Sequence, residues 1–125
     1  MKAQRASKLV VVIDDDPLVL EATGGLLRSW GFQVVAAESH AEAMAQLAKQ
    51  GRRPDLIVCD YRLSEGARGT EVIERLRSAF EIPALLISGD AAAPLADTDT
   101  SSYNLLHKPL DAAKFRAALA DALQA

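Results

Sequence analysis

Apolar residues in this chain follow two alternating rhythms. The first is an unbroken run, Leu9-Val10-Val11-Val12-Ile13, with no polar residue at every second place. A run of mainly β-branched residues without alternation predicts a strand covered on both faces, over about Lys8–Ile13. From Pro17 the spacing turns helical. Leu18, Ala22, Leu26 and Leu27 mark a helix over Pro17–Trp30, opened by a proline suited to a first turn and closed by Gly31. Gly24 and Gly25 inside it each weaken the helix by about 1 kcal/mol relative to alanine. They read either as tolerated weakness or as the close approach of another helix or chain.

The two rhythms repeat. Gln33–Ala37 is a short strand. Ser39 then has the character of an N-cap, with Glu42 completing a capping box, for a helix through Met44, Leu47 and Ala48 to Gln50. Pro54 and Asp55 introduce a third strand, Leu56–Asp60, built like the first: an apolar run ending in a carboxylate. A polar loop, Tyr61–Gly69, leads to a helix over about Thr70–Ala79 with Val72, Ile73 and Leu76 inward. Ala84–Ile87 is a fourth strand, running into Ser88-Gly89-Asp90. In the next stretch, Ala91–Ala96, Pro94 interrupts the helical pattern, and Asp97–Ser102 favours turns and caps. The fourth helix is therefore expected to be short or irregular. Asn104–His107 forms a fifth strand before Lys108-Pro109. Asp111 caps a last helix with Phe115, Ala118, Leu119, Ala122 and Leu123 on one face. Strands separated by helices predict an α/β fold, a doubly wound five-stranded parallel sheet with helices on both faces.

Bulk properties narrow this. The 125 residues fit one domain, and 50% are hydrophobic, enough for a packed core. A net charge of −3 argues against direct nucleic acid binding. The single cysteine, Cys59, excludes an internal disulfide and fits a reducing compartment, so a cytoplasmic location is expected. No apolar run approaches the roughly 20 residues that span a bilayer, so no membrane insertion is expected. Residues 1–7 read as a tail or linker remnant ahead of a domain over 8–125.

Chemistry concentrates where the predicted strands end. Asp14, Asp15 and Asp16 follow the first strand, Asp60 closes the third, Ser88 the fourth, and Lys108 the fifth. In a parallel sheet all those ends share one edge, where ligands of open α/β folds bind. Adjacent carboxylates repel, and a hard cation with oxygen ligands is their simplest partner. A carboxylate can also serve as the nucleophile that accepts a phosphoryl group, with an ammonium and a hydroxyl stabilising its charge. Asp16 reads as the N-cap of the first helix.

This combination resembles the receiver domains of bacterial two-component signalling over about residues 8–124. The resemblance implies a flavodoxin-like sheet with strand order 2-1-3-4-5. It implies Asp60 as phosphoacceptor, taking its phosphoryl group from a histidine kinase or a histidine phosphotransfer domain and later losing it by hydrolysis. It also implies Mg²⁺ (or Mn²⁺) held by Asp15, Asp60 and the backbone carbonyl of Arg62, with Asp14 acting through a water. Ser88 would be the switch hydroxyl, paired with Lys108, and the Lys108–Pro109 bond would be cis. The segment Leu105–Leu110 is most like receivers at the C-terminus of hybrid sensor histidine kinases.

The chain departs from the family pattern in places. Leu63-Ser64 stands where a Met-Pro pair is usual, in a loop one residue longer. Leu105 occupies the aromatic switch position, so signalling through the fourth helix in the common way is not expected. Arg62 and Asp90, each two residues beyond a site residue, are placed to form an ion pair that gates the phosphoryl site. Two other readings use the same residues. One is a small Mg²⁺ phosphatase resembling the haloacid dehalogenase superfamily, with Asp14-Asp15-Asp16 supplying its Asp-x-Asp. The other is a degenerate receiver that only binds partners.

Overall fold

The computed structural model describes residues 8–60, 74–75, 82–88, 104–107 and 111–124. Five strands pair in parallel in the order β2-β1-β3-β4-β5. They are β1 (Leu9–Ile13), β2 (Gln33–Ala37), β3 (Leu56–Asp60), β4 (Ala84–Ser88) and β5 (Asn104–His107). Helices α1 (Pro17–Ser29), α2 (His40–Gln50) and Ala112–Gln124 flank the sheet. The flavodoxin-like order and the strands expected from the apolar runs are thus present.

β1 and β3 lie inside the sheet and are buried along their whole length. Edge strand β2 is buried only at Val35 and Ala37. Each apolar run therefore divides its side chains between two cores. Leu9, Val11, Ile13, Ile57 and Cys59 meet Ala43 and Leu47 of α2 on one face. Val10, Val12, Val58 and Leu85 meet Leu20, Leu27 and Phe115 on the other. Fully burying one such leucine stabilises the fold by about 2 kcal/mol.

α1 forms where the helical spacing predicts it, but of the four residues that mark it only Leu27 is buried. Its inward residues are Leu20, Thr23, Gly24 and Leu27, while Leu18 is 75% exposed, Ala22 is exposed and Leu26 is half-buried. Leu18, Val19, Leu20, Ala22, Leu26 and Leu27 spread over about 200° of this helix, so spacing alone allows more than one stripe. The short Asp14–Asp16 connection from β1 sets the rotation. Asp16 Oδ1 accepts from the Leu18 N–H (2.9 Å), confirming it as the cap. At the other end Gly31 takes φ +95, which a side chain would resist, and the Phe32 N–H reaches back to the Leu27 carbonyl (3.1 Å).

The α2 capping box is displaced by one residue. Ser39 Oγ accepts from the Glu42 N–H (3.1 Å), but the Glu42 carboxylate accepts from the N–H of Glu38, ahead of the cap (2.6 Å). Gln46 Nε2 then donates to the Ala36 carbonyl (2.9 Å), tying α2 to β2. Gly51 closes the helix at φ +63. In the last helix Asp111 caps as expected, with Oδ1 accepting from the Lys114 N–H (3.1 Å). Phe115 packs against Trp30 at the end of α1, ring centroids 5.9 Å apart, and the Arg116 guanidinium lies 5.4 Å from the Trp30 ring. Of the helix expected over Thr70–Ala79, Glu74 and Arg75 are described and are helical. The expected irregular fourth helix lies outside the described residues.

Candidate functional site

The register aligns the ends of β1 and β3. Ile13 pairs with Cys59, so Asp14 and Asp60 follow in step. The carboxylates of Asp14, Asp15 and Asp60 come together with oxygen atoms all within 4.8 Å of one another. Asp14 and Asp60 are buried and Asp15 is half-buried. Like charges at that distance repel by roughly 3 kcal/mol at an effective dielectric near 20. Hydrophobic burial of β1 and β3 holds them there.

A backbone N–H orients the Asp14 carboxylate, and a neighbouring thiol holds the main chain at Asp60. Asp14 Oδ1 accepts from the Asp16 N–H (3.0 Å), and the Asp14 N–H donates to the Ala37 carbonyl (3.2 Å). The Cys59 thiol donates to the Asp60 carbonyl (3.4 Å). Burial, then the charges of Asp60 and Asp14, push that thiol far above its usual range, so Cys59 stays protonated and able to donate. As the single cysteine of the chain, Cys59 points in sequence only to the absence of an internal disulfide. Its hydrogen bond to the next residue carries no sequence signal.

Three hard oxygen donors at the open end of a sheet fit Mg²⁺, which takes one or two protein carboxylates and keeps several waters. Among the described residues the cluster is made of carboxylates alone, donors that suit a hard cation. Beside the acids a cavity of about 560 Å³ runs beneath α1, walled by Val12, Val19, Leu26 and Val58. Apolar walls of this kind strengthen the pull of the carboxylates on a cation.

Among the other expected site residues, Ser88 closes β4 at the same edge as Asp60, paired in register with His107. Leu105 lies inside β5, paired with Leu86. Arg62, Asp90, Lys108 and the Lys108–Pro109 bond lie outside the described residues. Asp16 is apart from the carboxylate cluster, at the helix cap.

The model of the response regulator receiver domain family matches residues 10–120. The chain belongs to that family. Its curated relatives include the phyllosphere-induced regulator PhyR of Methylorubrum extorquens, 25% identical over 91% of this chain and 43% of its own length. The transcriptional regulatory protein ZraR of Escherichia coli is 33% identical over 91% of this chain and 26% of its own. The chain thus spans less than half the length of either. Among solved structures, a response regulator receiver protein from Sinorhizobium medicae is 29% identical with a TM-score of 0.81, covering 96% of this chain and 97% of the other. The PhyR receiver domain of Erythrobacter litoralis is 26% identical with a TM-score of 0.79, over 94% and 91%.

Receiver domains take phosphoryl groups from histidine kinases, and they generally bind Mg²⁺ in an acidic pocket. The acids of this receiver match that need in type and position. Among the described residues no helix is long and apolar enough to cross a membrane.

Proposed function

We propose that this chain is the phosphoacceptor module of a two-component phosphorelay and that Asp60 takes the phosphoryl group. The observation that carries the reading is the meeting of Asp14, Asp15 and Asp60 within 4.8 Å at one sheet edge of a receiver domain. A carboxylate oxygen of Asp60 attacks the phosphorus of a phosphohistidine. The new P–O bond forms as the P–N bond breaks, and the imidazole leaves with the bonding pair. Asp15 and Asp60, with the Arg62 carbonyl, would hold Mg²⁺ (or Mn²⁺), and Asp14 would act through a water. When bound, that ion offsets negative charge on the phosphoryl oxygens. Lys108 and Ser88 engage the same oxygens, and Ser88 with Leu105 passes the change to the sheet edge. An Arg62–Asp90 ion pair over the site slows hydrolysis, so Arg62→Ala speeds dephosphorylation; an unchanged rate would remove this part of the scheme.

The donor is a histidine kinase or a histidine phosphotransfer domain, in the cytoplasm. A narrower form places the chain at the end of a hybrid kinase. Its support is the Leu105–Leu110 segment alone, and the relatives named above are regulators. The decisive experiment is incubation with acetyl phosphate and Mg²⁺, followed by peptide mapping of the modified residue. Label on Asp60 that persists supports the receiver reading. Rapid turnover of phosphate esters through Asp14 would favour the phosphatase reading, and absence of label the degenerate module.

A further inference from the structure

β2 stands at the edge of the sheet, beside β1. The Gln33 N–H donates to the Lys8 carbonyl (2.9 Å), and the Ala37 carbonyl accepts from the Asp14 N–H (3.2 Å). Gln33, Val35 and Ala37 therefore turn their backbone groups toward β1. Backbone groups alternate along a parallel strand, so those of Val34, Ala36 and Glu38 point off the edge. There α2 meets two of them with side chains. Gln46 Nε2 donates to the Ala36 carbonyl (2.9 Å), and Glu42 Oε1 accepts from the Glu38 N–H (2.6 Å). In a further parallel strand one residue would do both, donating its N–H to the first and accepting with its carbonyl from the second. Gln46 and Glu42, one helical turn apart on α2, stand in for that residue.

We propose that Gln46 and Glu42 are positioning residues for Asp14, acting through the exit end of β2. Asp14 enters in the role given it above, an outer partner of bound Mg²⁺, and the proposal rests on that reading. The end of an edge strand opens at low cost where few contacts hold it. Ala36 and Glu38 flank Ala37, so bonding both to α2 keeps Ala37 seated and its carbonyl within reach of the Asp14 N–H. The Asp16 N–H orients the Asp14 carboxylate (3.0 Å), but only relative to the local main chain. The bond to Ala37 fixes that main chain to β2. α2 thereby reaches the acid cluster through β2.

Amide hydrogen exchange on the 125-residue chain, read residue by residue by NMR, tests this together with calorimetric Mg²⁺ titration. Gln46→Met keeps the helix preference and removes the donor. It is expected to speed exchange of the Asp14 amide by about tenfold, while the Gln33 amide at the other end of the ladder changes by less than about twofold. Mg²⁺ should bind about threefold more weakly. Glu42→Met should act in the same way. Glu42→Gln loses the same charge but keeps an acceptor oxygen, and should hold both readings within about twofold of the unsubstituted chain. An equal rise at Asp14 and Gln33 would mean a general loss of stability and overturns the proposal. So does an unchanged Asp14 amide, an unchanged Mg²⁺ affinity, or a Glu42→Gln chain as damaged as Glu42→Met. An unsubstituted chain that binds no Mg²⁺ removes the reading of Asp14 itself, and the proposal with it.

Discussion

Asp55 and Asp60 stand at opposite ends of β3, and the fold uses them differently. At the entry, the Asp55 carboxylate accepts from the Leu9 N–H (2.8 Å) and the Asp55 N–H donates to the Leu9 carbonyl (2.7 Å). The acid is consumed in starting the pairing of β1 with β3. At the exit, Asp60 gathers instead with Asp14 and Asp15. Strand polarity explains the contrast. The first N–H groups of parallel strands face one edge without ladder partners, and the last carbonyls face the other. An acid at the donor-rich edge finds backbone to hold, while acids at the carbonyl-rich edge collect charge that invites a cation.

Substitutions can break or sharpen this contrast. The largest effect is expected from Asp60→Asn, which should lower phosphoryl uptake from acetyl phosphate by at least about a hundredfold while leaving the urea midpoint undiminished. A variant that still took label would end the assignment of chemistry to the exit edge. Asp15→Asn should weaken Mg²⁺ by about tenfold in calorimetric titration, with far-ultraviolet dichroism unchanged. Asp55→Ala should do the reverse: a loss of about 1–2 kcal/mol in urea unfolding, because the Leu9 N–H loses its partner, and unchanged Mg²⁺ affinity.

The smallest effect concerns His40. Burial, and then the charge of Arg75, hold its pKa below the ordinary 6.5. The folded state therefore binds fewer protons than the unfolded chain. The contribution of His40 is intact above pH 6.5 and fades as pH falls through 6.5 toward the lowered value. His40→Gln should flatten stability between about pH 7 and pH 5 by less than about 0.5 kcal/mol, since the ring is partly in water. A larger change in urea unfolding across that range would contradict a partly solvated ring.

How much was legible depended on whether a residue's neighbours were local. β1 and β3 were plain because burial on both faces leaves no room for polar alternation. Asp14 and Asp60 were plain because each ends such a run. The Asp16 and Asp111 caps need only residues two or three positions away. The inward face of α1 was not legible, since Leu18, Leu20, Leu26 and Leu27 spread over about 200° of the helix and only the turn from β1 chooses among them. Glu42 reaches Glu38 instead of the cap residue, a shift of one position that composition cannot reveal. The packing of Phe115 on Trp30 joins the end of α1 to the last helix, and no local pattern announces it.

β1 is the first strand made and also a central one, flanked by β2 and β3. During synthesis its Leu-Val-Val-Val-Ile segment waits until residues 56–60 emerge before both edges are covered. Uncharged, β-branched segments of this kind are the ones that stack into cross-β aggregates. Lys8 on one side and Asp14, Asp15 and Asp16 on the other act as gatekeepers, keeping neighbouring nascent chains apart by charge. The same carboxylates thus guard the strand before it is paired and equip its end once it is, so removing them to quiet the site also removes a brake on misassembly.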